Sequence, residues 1–170
     1  MKLGIEIECF LKYSQPFVLP NNWRRKSDGS LRRYNLSVEY VPVELESPIF
    51  PNTTEALNGI YRICNELKAN QAASNKSCGL HIHFSGVGEI DIRELTAILL
   101  KSRQNWKSRA GYCGCWGTRK YRPVRKIADL VYHDHYEVRL FNGTIKYRAI
   151  QGYIRTLEQA LKQLKPELVS

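Results

Sequence analysis

Four short segments carry the side chains best suited to chemistry: Gly4-Ile-Glu-Ile-Glu8, Glu44-Leu-Glu-Ser-Pro48, Cys78-Gly-Leu-His-Ile-His83 and Glu137-Val-Arg139. Within each, an apolar residue separates two polar ones, the period of a strand that turns alternate side chains to one face. Glu6 would then share a face with Glu8, Glu44 with Glu46, His81 with His83, and Glu137 with Arg139. Brought side by side, the four strands would form a cup of carboxylates, imidazoles and a guanidinium. Such a cup suits divalent cations and phosphate.

The residue types fit that chemistry for separate reasons. Two Mg²⁺ ions near a nucleotide need hard oxygen ligands with positions left open for phosphate oxygens, and Glu6, Glu8, Glu44, Glu46 and Glu137 could supply them. One neutral imidazole is tolerated, and Mn²⁺-accepting sites use it. Arg139, two residues from Glu137, could clamp a transferring phosphoryl group bidentately. Each motif also has a plainer reading. A lone Glu-x-Glu strand is more often a solvated face, and His81 and His83 alone could be half-buried strand residues. The sharper reading rests on all four together.

The elements that would hold these residues follow from pattern. Lys2–Phe10 and Val38–Leu45 read as strands, with Pro42 marking a break or an edge in the second. Residues 14–35 read as a long loop, or a hairpin turning at Asp28-Gly29. Asn52-Thr-Thr-Glu55 is a capping signal, and Leu57, Ile60, Ile63, Cys64 and Leu67 follow at helical spacing, predicting a helix over 53–70. Leu80–Ser85 is a strand, Gly86–Gly88 a turn, and Asp91 to about Arg103 a helix. Tyr136–Phe141 is the last strand, turning at Asn142-Gly143. A helix from Tyr147 carries Ile150, Ile154, Leu157, Leu161 and Leu164 inward and stops at Pro166. This β–β–α–β–α–β–α order argues an α+β fold, one mostly antiparallel sheet with helices on one face.

At 170 residues, 43% hydrophobic and 25% charged, the chain has the size and composition of a single globular domain. No apolar run approaches the ~20 residues that span a bilayer. The strand-like start leaves no room for a signal peptide, so a cytoplasmic location is expected. Five cysteines at scattered positions argue against a disulfide framework, with Cys9 and Cys64 expected as buried small residues. The formal charge of +10 favours anionic partners: nucleotides, phosphorylated or carboxylated substrates, or nucleic acid. A solvated basic surface is the plainer alternative.

Arg109–Lys126 is glycine-rich, basic and aromatic without a period, the profile of a functional loop. Trp106, Tyr112, Trp116 and Tyr121 could close over a nucleotide as a lid, stack bases, or pack the loop down. Cys113, Cys115, His133 and His135 invite a zinc reading, but their spacing departs from structural zinc patterns, and an ordinary thiol pair in a loop is favoured.

Together the four motifs resemble the amidoligase family, related in fold to glutamine synthetase and glutamate–cysteine ligase. The resemblance runs from residue 4 to about 160. It implies a glutamine-synthetase-like curved sheet and ATP- and Mg²⁺-dependent (or Mn²⁺-dependent) joining of a carboxylate to an amine through an acyl phosphate. By that pattern Glu6 and Glu8 divide between two metals. His81 joins Glu6 and Glu137 at one, and Glu44 helps Glu8 at the other. Glu46 falls where the family usually has an apolar residue, leaving open which of Glu44 and Glu46 is the ligand. His83 approaches the nucleotide, and Arg139 contacts phosphate or substrate carboxylate. Arg119 and Arg122 loosely resemble an arginine pair that neutralises the phosphoryl group, with Arg125 as the substitute. Asp28-Gly29-Ser30 resembles a family element before the second glutamate strand, or is a plain turn.

The partners implied are ATP, a carboxylate and an amine, the acceptor pocket being shallow, shared across a homo-oligomer, or completed by a protein substrate. Two alternatives compete: a metal-dependent phosphoesterase or nuclease using the same carboxylates, and a non-catalytic nucleotide- or nucleic-acid-binding protein.

Overall fold

The computed structural model describes residues 1–102, 124–126 and 135–166. Six strands form one open sheet: β1 (Lys2–Lys12), β2 (Arg24–Ser27), β3 (Tyr40–Glu46), β4 (Gly79–Ser85), β5 (Val124–Lys126) and β6 (His135–Asn142). Their order across the sheet is β2-β3-β1-β4-β6-β5, and every neighbouring pair is antiparallel. Three helices accompany it: α1 (Thr53–Ala69), α2 (Ile92–Lys101) and α3 (Tyr147–Leu164). The mixed architecture expected from the sequence is therefore present. None of these helices is long and apolar enough to cross a membrane.

Alternation on the central strand divides the molecule. Leu3, Ile5, Ile7, Cys9 and Leu11 of β1 are buried with Val43 and Leu45 of β3, Ile82 and Phe84 of β4, and Val138 of β6. Onto this apolar face pack Ile60, Ile63 and Leu67 of α1, Leu95 and Leu99 of α2, and Ile150, Ile154 and Leu157 of α3. Even-numbered residues of β1 point to the other face. Asn52 caps α1 by accepting from the Glu55 N–H at 2.9 Å, the signal read from the sequence. Asp91 does the same for α2, accepting from the Glu94 N–H at 3.2 Å.

Two strands were not legible as such. β2 occupies part of the segment read as a loop or hairpin, and Asp28-Gly29 does follow it directly. β5 falls in the aperiodic stretch, at residues 124–126. Pro42 stands inside β3, yet the β2–β3 ladder begins only at Val43, so the proline lies where that strand is still an edge. Between Leu80 and Ile82 the β4–β6 register shifts, and both Leu140 and Phe141 join the core. Gly143 donates to the Cys78 carbonyl at 2.9 Å. A Cβ there would lie 2.4 Å from that carbonyl carbon, so only glycine permits this approach.

A second, smaller cluster of Phe10, Leu31 and Cys78, flanked by Leu36, Tyr40 and Ala73, covers one end of the non-helical face. Cys9, Cys64 and Cys78 are buried and form no disulfide among the described residues, the burial of the first two being as expected. Burial pushes the Cys64 thiol up to about 12, so it is chemically inert at neutral pH.

The end of α1 is tied to β1 by Asn70, which is fully buried. Its side chain accepts from the Lys12 N–H at 2.9 Å and donates to the Gln15 carbonyl at 2.9 Å. Asn70→Ala would leave both partly buried backbone groups without that partner. We expect a loss of about 2 kcal/mol, visible as a lower urea midpoint at unchanged slope.

Candidate active site

The non-helical face of the sheet gathers the four motifs because antiparallel register stacks them side by side. Glu6 lies opposite Glu46 on one neighbour and His81 on the other, and Glu8 lies opposite Glu44. His83 lies opposite Gly4 of β1 and Glu137 of β6. On the outer side Arg24 faces Glu46 and Lys26 faces Glu44. Residues from opposite ends of the sequence thus meet within four adjacent strands.

Side-chain geometry is dense at the centre. His81 Nδ1 lies 2.6 Å from Glu6 Oε2 and 3.7 Å from Glu137 Oε1, while its Nε2 lies 3.3 Å from Glu8 Oε1. His83 Nε2 lies 2.9 Å from Glu6 Oε1. Glu8 also accepts the Gly79 backbone N–H at 2.6 Å, and Arg139 donates to Glu137 at 2.5 Å. Glu8, His81 and Glu137 are only 3%, 2% and 2% exposed. Carboxylates are seldom buried that far without partners. Here imidazole, guanidinium and backbone N–H supply them.

The electrostatics record the crowding. Burial raises the pKa of Glu6, but hydrogen bonds and charge from His81 and His83 more than offset it, leaving the group well below the usual carboxylate range. Burial lowers that of His83, yet its hydrogen bond to Glu6 and the charges of Glu6 and Glu137 leave it raised. Glu44 is raised, first by burial and then by the Glu6 charge beside it. A carboxylate held up by its neighbours' negative charge gains from any cation placed between them.

Among the described residues, three groups bring ligand atoms within 4.8 Å of one another: Glu6–His81–Glu137, Glu8–Glu44–His81 and Glu6–Glu44–Glu46. The first gathers the residues that the resemblance implied for one metal; the second gathers Glu8 and Glu44 with His81, which the resemblance gave only to the first. Glu44 stands with Glu8 and His81, whereas Glu46 is engaged by Lys26. The oxygen-rich donor set, with at most one imidazole per group, is the chemistry of Mg²⁺ and Mn²⁺ rather than of zinc or copper.

The face is closed at one end by the Phe10–Leu31–Cys78 cluster. At the other, a cleft of about 960 Å³ opens among the described residues. It is lined by Glu6, Glu46 and His83 and by Lys2, Arg24 and Ile49 among others. Ser47 fixes its floor: its hydroxyl accepts from the Ile5 N–H at 2.8 Å and donates to the Pro48 carbonyl at 2.7 Å.

Arg119 and Arg122 lie outside the described residues, as do Cys113, Cys115, His133 and the aromatic residues Trp106, Tyr112, Trp116 and Tyr121. Of Arg125 only the backbone is described, opposite Glu137. His135 has its ring 5.7 Å from that of His83, on the rim of the same cleft. In Asp28-Gly29-Ser30, Asp28 accepts from the Ser30 N–H at 2.8 Å, an exposed turn. From the sequence Arg24 and Lys26 contribute only to the positive charge that favours anionic partners. Their alternation would have placed them on the site face had β2 been legible.

No curated protein and no solved structure matches the chain. One family model does, described as "Putative amidoligase enzyme", over residues 19–107. That span covers just over half of the 170 residues and includes the Glu44–Glu46 and His81–His83 strands. The chain belongs to the amidoligase family.

Proposed function

We propose that this protein is an ATP- and Mg²⁺-dependent carboxylate–amine ligase built on a glutamine-synthetase-like sheet. The observation that carries the reading is the convergence of Glu6, Glu8, Glu44, His81 and Glu137 on one sheet face with Arg139 beside them. Membership of the amidoligase family supports ligation as the class of reaction. Glu6 and Glu137 would hold one divalent cation with His81 Nδ1, and Glu8 and Glu44 a second. His81 Nε2, turned toward Glu8, would then donate to it and fix the imidazole's tautomer. Bound there, the cations would supply charge neutralisation for the phosphate oxygens of ATP.

The chain's own groups do the rest. An oxygen of the substrate carboxylate attacks the γ-phosphorus of ATP, the bond to ADP breaks, and an acyl phosphate forms. The amine nitrogen then attacks the acyl carbon, the carbon–oxygen bond to phosphate breaks, and the nitrogen loses a proton to give the amide. Phosphoryl transfer needs positioning and charge balance more than a protein nucleophile. The inert, buried thiols at Cys9 and Cys64 agree with that requirement. Arg139, about a quarter exposed while anchored on Glu137, is placed to meet charge building on the transferred group. The closed end of the face favours approach of both ligands from the cleft.

Mn²⁺ or Mg²⁺ at about 100 times its dissociation constant should stabilise the protein by ~2.7 kcal/mol. The rise in melting temperature should shrink in Glu6→Gln/Glu137→Gln, which removes one of the two cation sites, and vanish when Glu8→Gln/Glu44→Gln is added. A wild-type melting temperature that ignores both cations rejects the metal site.

ADP release should require both ATP and a carboxylate, and hydroxylamine should intercept the acyl phosphate as a hydroxamate. Glu8→Gln or Arg139→Ala should lower that turnover by about 10²–10³-fold with an unchanged circular dichroism spectrum. Unaltered turnover in either variant would count against the site. Cleavage of nucleic acid by the same carboxylates, with no ADP formed, would move the protein to a different enzyme class.

A further inference from the structure

β2 is four residues long, all exposed, and three of them are the cations Arg24, Arg25 and Lys26. It ends the sheet, so its outer backbone edge pairs with no other strand among the described residues. Lys26 is engaged by Glu46. Arg24 and Arg25 form no ion pair among the described residues. Arg24 and Lys2 also sit on the cleft that leads to Glu6, with the 75%-exposed Ile49 between the outer strands and solvent.

We propose that the β2 edge and the adjoining cleft dock an acidic, extended polypeptide. On the ligase reading, on which this one point rests, the acid substrate is then a carboxylate carried on a protein or peptide chain. An added strand would bond to the open backbone edge and turn alternate side chains to the two faces. Carboxylates on one set would meet Arg24, and those on the other Arg25.

Charge complementarity selects the occupant. The chain has 26 cations against 16 acids. Glu6, Glu8, Glu44, Glu46 and Glu137 are gathered in the site, so the outer surface is more basic than the net charge conveys. A nucleic acid fits less well. Its fixed charge at each phosphate would pass the Glu44 and Glu46 positions that stand in register with β2, whereas a peptide can set neutral residues there. Trp23, the ring next to β2, is buried and offers no stacking face. The cleft, at the upper end of the ~300–1,000 Å³ range of ligand sites, has room for more than a single amino acid.

The test needs no ATP, so its failure is separable from failure of the ligase reading. A fluorescein-labelled decapeptide alternating Glu-Glu and Ser-Ser pairs, which carries Glu on both faces of a strand, and a labelled ten-nucleotide oligothymidylate are titrated with the full chain by anisotropy. Arg24→Glu/Arg25→Glu should weaken peptide binding at least about tenfold, with the melting temperature unchanged. Arg155→Glu/Lys162→Glu, the same charge change on α3, should have little effect. Equal loss in both double variants reduces the interaction to general electrostatics and overturns the proposal. So does tighter binding of the oligonucleotide than of the peptide, or no saturable peptide binding.

Discussion

Placing two glutamates on the central strand of a sheet is the constraint that the remaining structure answers. β1 is flanked on both sides, so Glu6 and Glu8 can reach neither edge nor bulk water easily. Strand alternation sends Ile5, Ile7 and Cys9 into the helical core and both carboxylates to the opposite face. A one-residue slip in register would put the carboxylates among Ile60, Ile63 and Leu157, at a cost of several kcal/mol per unpaired charge. The fold therefore has one workable register, and that register carries the site.

Having buried the charges, the protein must compensate them, and the partners come from strands distant in sequence. His81 and His83 arrive from β4, Arg139 from β6, Lys26 from β2, and the Gly79 N–H from the first residue of β4. Five carboxylates against two imidazoles, one guanidinium and one lysine leave a net acidic pocket in a chain whose formal charge is +10. An acidic pocket inside a basic shell attracts anions to its rim and cations to its depth. That is the field a metal-bound polyphosphate needs.

Much of this was legible from the residues alone. The x-Glu-x-Glu, His-x-His and Glu-x-Arg alternations are long enough to fix which side chains share a face, and the caps at Asn52 and Asp91 fixed where helices begin. What the pattern could not carry was lateral order. Nothing in Glu44-Leu-Glu46 says which glutamate faces Glu8 across the ladder; that depends on the β1–β3 register, set by the Ser47 contacts to Ile5 and by the turn following β2. β2 itself was hidden because four exposed, mostly cationic residues have no apolar alternation to detect. β5 is too short, at three residues, to establish a period. The bulge in β6 broke the alternation where Leu140 and Phe141 both turn inward. Short edge strands and register shifts are decided by tertiary pairing, which local composition does not encode.

The two ends of the polar face differ for a reason that also bears on function. At one end the face becomes apolar at Phe10, and the segment from Leu31 to Tyr40 folds over it, held by the Arg32 N–H to Ser77 bond at 3.0 Å and the Asn75 amide to Arg32 carbonyl bond at 2.9 Å. At the other, glycine and small polar residues (Gly4, Ser47, Ser85 and Gly86) leave the face open. Burial of Glu8 against the covered end removes water from one flank and strengthens every charge interaction there. Glu6 and Glu46, nearer the mouth, keep about a fifth of their surface. Glu8 and Glu137 are thus dry and Glu6 and Glu46 wetter, so incoming anions meet screened, partly neutralised charge first and the strongest field last. On the proposed ligase function, which would bring two anions to one point, that order keeps either from being repelled.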